Sequence, residues 1–156
     1  MDQLEGRIRP YALQAGEGWT YRFDVDFTVK AGEIREGSGA AFLEYVTTKG
    51  EEPPSHTHET EDEMFYVLDG AITFQCGKET FDLEPGGFVF LPHGIEHSYI
   101  IHSPAPVRLI VVTSPAREGT SGGWGGFVAD MELGQGELIA KPPHLTKTIS
   151  PKHCGT

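Results

Sequence analysis

The sequence predicts an all-β protein that folds as one small antiparallel barrel or sandwich. From about residue 19 to residue 113, short segments rich in aromatic and β-branched residues alternate with turn clusters, as expected of such folds. The composition agrees, because 20 glycines and 11 prolines among 156 residues favour many turns over long helices. A chain of this length can bury a core as a single domain without disulfide bonds.

The strands expected along this region are separated by turns. They cover residues 21–30, 40–48, 63–68, 71–75, 88–91, 96–101 and 107–113. Asp69-Gly70 is the strongest hairpin signal, because an Asp-Gly pair suits the positive backbone angles of a type I′ turn. The strands on its two sides are therefore predicted to pair with each other.

Segment 63–68 carries apolar side chains on both faces. Phe65 and Val67 share the parity of Glu63, whereas Met64 and Tyr66 lie opposite. A strand that is apolar on both faces has to be covered twice. The second cover can be another sheet, an N-terminal strand or another subunit, and a homodimer is the assembly that we expect.

The chain is expected to form one structural domain with three parts. Residues 1–39 supply N-terminal strands and an arm, 40–114 the barrel core, and 115–156 a glycine-rich loop and tail. Within the tail, 119–126 is either a lid or a flexible loop. Segments 127–133 and 145–153 have the pattern of short helical turns, so the tail is predicted to be partly helical.

Charge and composition exclude several classes of protein. The formal charge is −11, with 12 Lys and Arg against 23 Asp and Glu, which would repel nucleic acids and anionic lipid surfaces. Cys76 and Cys154 are far apart and are expected to be reduced thiols. Residues 1–10 lack an apolar core, and no apolar run approaches the ~20 residues of a membrane span. We therefore predict a cytoplasmic protein.

Three histidines and one glutamate have the spacing of a metal site. His56 and His58 lie two residues apart, so both imidazoles leave the same face of an extended strand. Glu63 opens the next strand after an acidic loop, and His97 follows a tight turn on a further strand. Three neutral imidazoles and a carboxylate suit one divalent transition metal, with Fe, Ni, Mn, Co, Zn and Cu all compatible. His93 and His102 are instead expected at the surface.

These two segments resemble the signature motifs of the cupin superfamily. The first motif, glycine, five residues, His-x-His, four residues, Glu, six residues, glycine, is met from Gly50 to Gly70. The second, glycine, five residues, Pro-x-Gly, two residues, His, three residues, Asn, is met from Gly86 to His97, but Ile101 replaces the asparagine. That asparagine is no ligand in the family pattern. The resemblance implies a double-stranded β-helix, or jelly-roll, whose metal ligands are His56, His58, Glu63 and His97.

Residues 56–70 and 88–94 also look like small bacterial single-barrel dioxygenases of the quercetinase type. This resemblance implies a dioxygenase that takes O₂ and an aromatic or enolic, flavonol-like small molecule. Glu63 would then be both ligand and general base, removing the proton of the substrate hydroxyl. Two alternatives stay open. One is a non-oxidative isomerase, cyclase or lyase that uses the metal as a Lewis acid, and the other is a small-ligand binding or sensor protein.

Alternation with the ligands predicts which side chains line the cavity. They are Phe42, Phe65, Val67, Phe90, Tyr99 and Ile101. An apolar, aromatic lining favours a planar or apolar substrate over a sugar phosphate, for which several inward arginines and lysines would be expected. Arg108 is the basic residue close enough to a barrel strand to be considered.

Overall fold

The computed structural model describes residues 10–23, 25–32, 39–114, 128, 134 and 136–142. In this part of the chain, two antiparallel sheets enclose a shared apolar core. The strands are β1 (Trp19–Phe23), β2 (Val25–Ala31), β3 (Ala41–Thr47), β4 (Asp62–Asp69), β5 (Ile72–Cys76), β6 (Glu79–Leu83), β7 (Phe88–Leu91), β8 (His97–Ile101), β9 (Val107–Ser114) and β10 (Glu137–Ala140). The predicted all-β jelly-roll is confirmed.

The larger sheet has the strand order β10-β1-β2-β3-β9-β4-β7, and the smaller sheet has the order β6-β5-β8. Side chains alternate between the two faces of each strand, as in β9, where every second residue is buried. Leu43, Phe65 and Val111 of the larger sheet therefore reach the core, where they meet Phe74 and Ile101 of the smaller one. The inner faces of both sheets together form this core.

Asp69 and Gly70 form a corner between the sheets rather than a paired hairpin. β4 pairs with β7 and β9, whereas β5 pairs with β6 and β8, so the predicted pairing of β4 with β5 is wrong. Gly70 has a φ of 90°, and a Cβ there would lie 2.7 Å from Val107 Cγ2. The chain bends at Gly70, although Asp69 still belongs to β4. The pairing failed because β4 is flanked on both sides within the larger sheet.

The structure also differs from the prediction at the chain ends. The predicted strand 21–30 is a hairpin of two strands, in which Tyr21 of β1 pairs with Phe27 of β2. The short strands β6 and β10 were not predicted, since β6 is mostly polar and β10 is exposed. The arm at 1–9, the loop 119–126 and the helix 145–153 lie outside the described residues. So does segment 127–133, except for Val128, which is helical and fully buried.

A membrane-spanning helix would need a long apolar run. Within the described ranges, no helix has the length and hydropathy to cross a bilayer.

Candidate metal centre

Backbone pairing places the histidines of the predicted site side by side. The N–H of His56 donates to the carbonyl of His97 at 3.0 Å, and the N–H of His97 donates to the carbonyl of His56 at 2.9 Å. The segment before β4 therefore runs as an extended neighbour of β8. In this conformation the side chains of His56 and His58 leave one face, as their spacing predicts.

The structure brings all four predicted ligand residues together. One ligand atom from each of His56, His58, Glu63 and His97 lies within 4.8 Å of the others. The imidazole centroids are 4.6–5.0 Å apart. His58, Glu63 and His97 are buried, and His56 is half-buried at the edge of the cluster. The four residues could therefore hold one metal ion.

Hydrogen bonds around the cluster orient its backbone and one of its rings. Nδ1 of His56 donates to the carbonyl of Pro54 at 2.8 Å, since a carbonyl can only accept. The lone pair of this imidazole is then on Nε2, which is free to bind an ion. Ser55 donates to Glu96 at 2.8 Å, and the N–H of Gly94 donates to the carbonyl of His58 at 2.7 Å. The loop carrying both histidines is thus fixed from two sides.

The chemistry of the cluster fits a metal ion. Both ring nitrogens of His58 and His97 and both carboxylate oxygens of Glu63 are buried without a hydrogen-bond partner. Glu63 Oε1 is 2.7 Å from His58 Nε2, and Oε2 is 3.1 Å from His97 Nε2, but neither contact has hydrogen-bond geometry. Buried polar groups almost always have a partner, and an unsatisfied one costs about 1–3 kcal/mol. A divalent cation would satisfy one nitrogen of each ring and the Glu63 carboxylate together.

Charge interactions within the cluster keep its carboxylate ionised. Burial raises the pKa of Glu63, but the contacts with His58 and His97 outweigh burial and bring the pKa below its ordinary value. Burial lowers the pKa of His58, and the contact with Glu63 outweighs it and raises the pKa above its ordinary value. The imidazole and the carboxylate therefore stabilise each other's charged forms. A bound cation would take the place of the proton.

Two of the residues predicted to line the cavity point away from it. Phe42 and Phe90 are 38% and 49% exposed, on the outer face of the larger sheet. Ala41, Thr113, Glu63 and Leu91 form one row of cross-strand partners, and the side chains of this row face the interior. Phe42 follows Ala41 and Phe90 precedes Leu91, so both phenylalanines face the other way. The prediction for Phe42 and Phe90 is therefore wrong. Neither β3 nor β7 contains a ligand from which the inward parity could be deduced.

The other predicted lining residues face the interior. Phe65 and Val67 share the face of Glu63, Tyr99 and Ile101 share the face of His97, and all are buried. Phe65, Phe74 and Tyr99 form an aromatic group with centroids 4.9–6.3 Å apart. Their contact with a substrate stays a prediction.

Several buried polar groups were missed by sequence reasoning, namely Tyr45, Thr47, Glu61, Cys76 and Thr113. The Tyr45 hydroxyl lies 3.2 Å from that of Tyr99, and burial, with the neighbouring Tyr99, raises the pKa of Tyr45 well above its ordinary value. Cys76 is the cross-strand neighbour of His97, and Thr113 is that of Glu63. Thr113 breaks the apolar alternation of β9, a signal that the sequence contained.

Residues predicted at the surface are found there. His93 is exposed and contacts Asp62, while exposed His102 contacts Thr73. Arg108, which was considered as a basic lining residue, lies instead on the outer face of the larger sheet, where it contacts Glu44 and Asp69. No lysine or arginine is buried among the described residues. The interior formed by the described residues therefore has no basic lining.

Comparisons with known proteins agree with this fold. A cupin domain model matches residues 43–113. The chain is 33% identical over 104 residues to quercetin 2,3-dioxygenase of Bacillus subtilis, which covers 66% of this chain but 31% of that protein. It is 30% identical over 77 residues to an uncharacterized protein of Streptomyces coelicolor, covering 49% of this chain and 68% of that protein.

A solved structure shows the same architecture. A protein described as a predicted oxalate decarboxylase, from Thermotoga maritima, matches with a TM-score of 0.59 and 18% identity, covering 67% of this chain and 99% of that chain. At this identity the likeness shows a shared fold alone.

Proposed function

The chain belongs to the cupin family, and we propose that it is a metal-dependent dioxygenase acting on an aromatic or enolic small molecule. The observation that carries this proposal is the convergence of three imidazoles and the Glu63 carboxylate, with unpaired buried atoms, inside an apolar barrel. The likeness to a quercetin 2,3-dioxygenase supports oxygenase chemistry. The chain spans about a third of that relative's length, so the relative's activity is for this chain a proposal.

The proposed ligands are His56, His58, Glu63 and His97, holding one divalent transition metal. When bound, the ion would supply Lewis acidity toward a substrate oxygen and a route for electrons from the substrate to O₂. Histidine and carboxylate ligands suit Fe, Ni, Mn, Co, Zn and Cu alike. The ion actually used is to be determined by metal analysis of the freshly purified protein.

Glu63 is proposed as the group that takes the proton from the substrate hydroxyl. Its side chain is 1% exposed, and its pKa lies below its ordinary value, so it is ionised and able to accept a proton. Burial by itself raises the pKa of Glu63 and so its strength as a base, although the contacts with His58 and His97 outweigh burial in the metal-free protein. The aromatic group of Phe65, Phe74 and Tyr99 belongs to the same buried interior and would form the apolar wall against which a bound ring packs.

The proposed substrate class is neutral and planar. The described polar side chains that are buried in the barrel include three of the metal ligands, the tyrosine pair, Thr47, Glu61 and Thr113, and no buried lysine or arginine in the described ranges could pair with a phosphate. The net charge of −11 further disfavours polyanionic substrates. A flavonol-like enol meets these conditions, since its reactive group is one hydroxyl on an aromatic frame.

The proposal is tested by substrate binding and O₂ uptake. Protein loaded without O₂ with Fe²⁺, Ni²⁺, Co²⁺ or Mn²⁺ is mixed with a panel of flavonols and smaller enols, and O₂ is then admitted. We expect binding before O₂ and consumption of one O₂ for each substrate lost. The variant Glu63→Gln keeps the side-chain size but removes the base, so it should lose turnover by at least ~100-fold.

The other outcomes distinguish the alternatives. Absence of O₂ uptake with all four metals across the panel would contradict the dioxygenase. Product formation without O₂ would indicate an isomerase, cyclase or lyase. Binding without any turnover, weakened in Glu63→Gln, would indicate a ligand-binding or sensor protein.

We also propose a homodimer formed through the outer face of the larger sheet. Two rows of side chains cross β3, β9, β4 and β7 on this face. The first row is Phe42, Val112, Met64 and Phe90, and the second is Glu44, Ile110, Tyr66 and Phe88. β1 and β2 extend the sheet sideways and do not cover these rows. Within the described residues, nothing therefore packs against the outer apolar face of β4.

A further inference from the structure

Thr113 is an exception on the inner face of β9. Val107, Leu109 and Val111 precede it on this face, and all of them are apolar and fully buried. Thr113 is also 0% exposed, yet its hydroxyl oxygen has no hydrogen-bond partner. Buried hydroxyls are nearly always satisfied by protein, water or an ion. Valine has nearly the same shape and would complete the apolar alternation without this unfavourable desolvation.

The position of Thr113 connects this hydroxyl to the candidate metal centre. Thr113 is the direct cross-strand partner of Glu63, and both side chains point to the interior. Side chains paired in this way have Cβ atoms about 4.5–5.5 Å apart. On its other side Thr113 is paired with Ala41, which contributes a single methyl group to the row. The Thr113 hydroxyl, which has no partner, therefore lies beside the Glu63 carboxylate and next to the smallest side chain of the row.

We propose that the Thr113 hydroxyl hydrogen-bonds an oxygen atom of the molecule bound at the candidate metal centre, and so selects oxygen-bearing ligands. The inference rests on the proposed function and adds a specificity-determining residue to it. Once Glu63 has taken the proton of a substrate hydroxyl, the oxygen left behind is anionic. A hydroxyl donates to such an oxygen, and hydrogen bonds to charged groups are the stronger kind.

The chemistry of its side chain distinguishes Thr113 from the metal ligands. The ligand atoms that lie within 4.8 Å of one another come from His56, His58, Glu63 and His97. A neutral threonine hydroxyl is a weak ligand compared with an imidazole or a carboxylate. Loss of the hydroxyl should therefore change the affinity for the ligand and not the affinity for the metal.

The test compares Thr113→Val, which removes the hydroxyl, with Thr113→Ser, which keeps it. Each protein is loaded with Co²⁺, and the Kd values of acetate and of acetylacetone, a small enol, are measured from the visible absorption of the cobalt. We expect Thr113→Val to raise both Kd values about tenfold, the usual effect of one hydrogen bond to a charged group. Thr113→Ser should stay within about threefold of the wild type.

Two further measurements exclude a merely structural role. The Kd of Co²⁺ itself should be the same in all three proteins. The metal-free Thr113→Val protein should unfold at the same denaturant concentration as the wild type or a higher one, because the hydroxyl has no protein partner to lose. Thr47→Val is the matched control, since Thr47 is a buried threonine paired with Val107 at the opposite end of β9. It should leave both ligand Kd values unchanged.

Specific outcomes overturn the inference. It fails if Thr113→Val binds both ligands as the wild type does, or if neither ligand binds the cobalt-loaded wild type. If the metal-free Thr113→Val protein is strongly destabilised, Thr113→Ala repeats the binding measurement in a second background, and the inference fails if Thr113→Ala binds both ligands as the wild type does. Binding of acetate without binding of acetylacetone contradicts the dioxygenase proposal instead, while the acetate series still decides the role of Thr113.

Discussion

Glu63 combines two properties that oppose each other in most proteins. It is one of the most deeply buried side chains, which disfavours its charged form, yet contacts with His58 and His97 bring its pKa below its ordinary value. A buried carboxylate is stable only when it is paired or binds a cation. The histidines therefore do more than complete a ligand set, since they allow the carboxylate to be charged inside the barrel.

Removal of one buried histidine should abolish stable metal binding. His58→Ala removes a ligand and leaves Glu63 with one imidazole fewer, so we expect metal affinity to fall by at least ~100-fold, beyond the usual effect of losing a supporting residue. The loss is measured as the metal content of the purified proteins, determined by mass spectrometry. The control is His93→Ala, because His93 is an exposed histidine that contacts Asp62. Equal metal content in the two variants would show that the cluster is not the binding site.

Metal should stabilise the fold more strongly as the pH rises. The pKa of His58 is raised, so in the metal-free protein its contact with Glu63 contributes fully below the unfolded pKa of His58 and is lost as the pH rises through the raised value. The pKa of Glu63 is lowered, so its contribution is present above its unfolded pKa and is lost as the pH falls through the lowered value. The metal-free protein is therefore favoured under mildly acidic conditions, whereas metal binding needs neutral imidazoles.

The measurement is the difference in Tm between protein saturated with Zn²⁺ and protein with a chelator. We expect this difference to increase between about pH 5.5 and pH 8, the range in which histidine titrates. In His58→Ala the increase should be much smaller. A difference that stays constant or declines over this range would mean that imidazole protonation does not compete with the metal.

At residue level, the sequence was informative where side-chain direction is local. The His-x-His spacing and the parity within β4 and β8 were sufficient to predict the ligand cluster and the inward direction of Phe65 and Tyr99. Phe42 and Phe90 could not be placed in this way, because the register of β3 and β7 depends on pairing with strands remote in sequence.

Among the elements, the corner at Gly70 connects the two sheets. An Asp-Gly pair indicates a change of chain direction from two residues alone, and the chain does bend at Gly70. Which strands pair depends on the partners available to each face and edge, and β4 takes both of its partners from later segments of the chain. Nonlocal pairing of this kind cannot be deduced from turn residues. The polar β6 was missed for a related reason, because its pairing with β5 stabilises it more than its own composition does.

Substitution of Gly70 should destabilise the fold through a steric clash. A Cβ at this position would meet Val107 Cγ2 at 2.7 Å and the Val107 Cα at 3.2 Å, in addition to the strain of a φ of 90°. We expect Gly70→Ala to lower the free energy of unfolding by about 2 kcal/mol or more. Gly39→Ala is the matched control, since Gly39 has a φ of 69° but no atom within 4 Å of the added Cβ. Equal losses in urea unfolding would show that backbone strain alone determines the cost.

For the whole molecule, the composition and the alternation of short β-rich segments with turns were sufficient to predict an all-β fold. The two histidine motifs predicted its family. The division into 1–39, 40–114 and 115–156 and the cytoplasmic location stay predictions. On assembly, the sequence pattern showed only that β4 is apolar on both faces. The structure adds the extent of the exposed face, since the rows on β3, β9 and β7 come together only after folding.

This face has the size and chemistry of half an interface core. Aromatic side chains carry about 150–250 Å² each, so Phe42, Tyr66, Phe88 and Phe90, which are 38–56% exposed, offer roughly 400 Å². A stable dimer buries about 800 Å² on each partner, of which the centre is apolar and the rim polar. Arg108, with its partners Glu44 and Asp69, supplies a charged edge to the same face. An exposed apolar patch of this size favours association with a like surface.

A charge placed in this patch should separate the subunits. We expect the wild type to sediment as a dimer at about 10 μM, an affinity typical of interfaces of this size, and Phe88→Asp to sediment as a monomer because its carboxylate would be buried unpaired. Ile100→Asp is the matched control, since Ile100 is 56% exposed, as Phe88 is, but belongs to the smaller sheet. The control should remain dimeric and both variants should keep the metal. A monomeric wild type, or dissociation by Ile100→Asp alone, would assign the second cover of β4 to something other than a second copy of the chain.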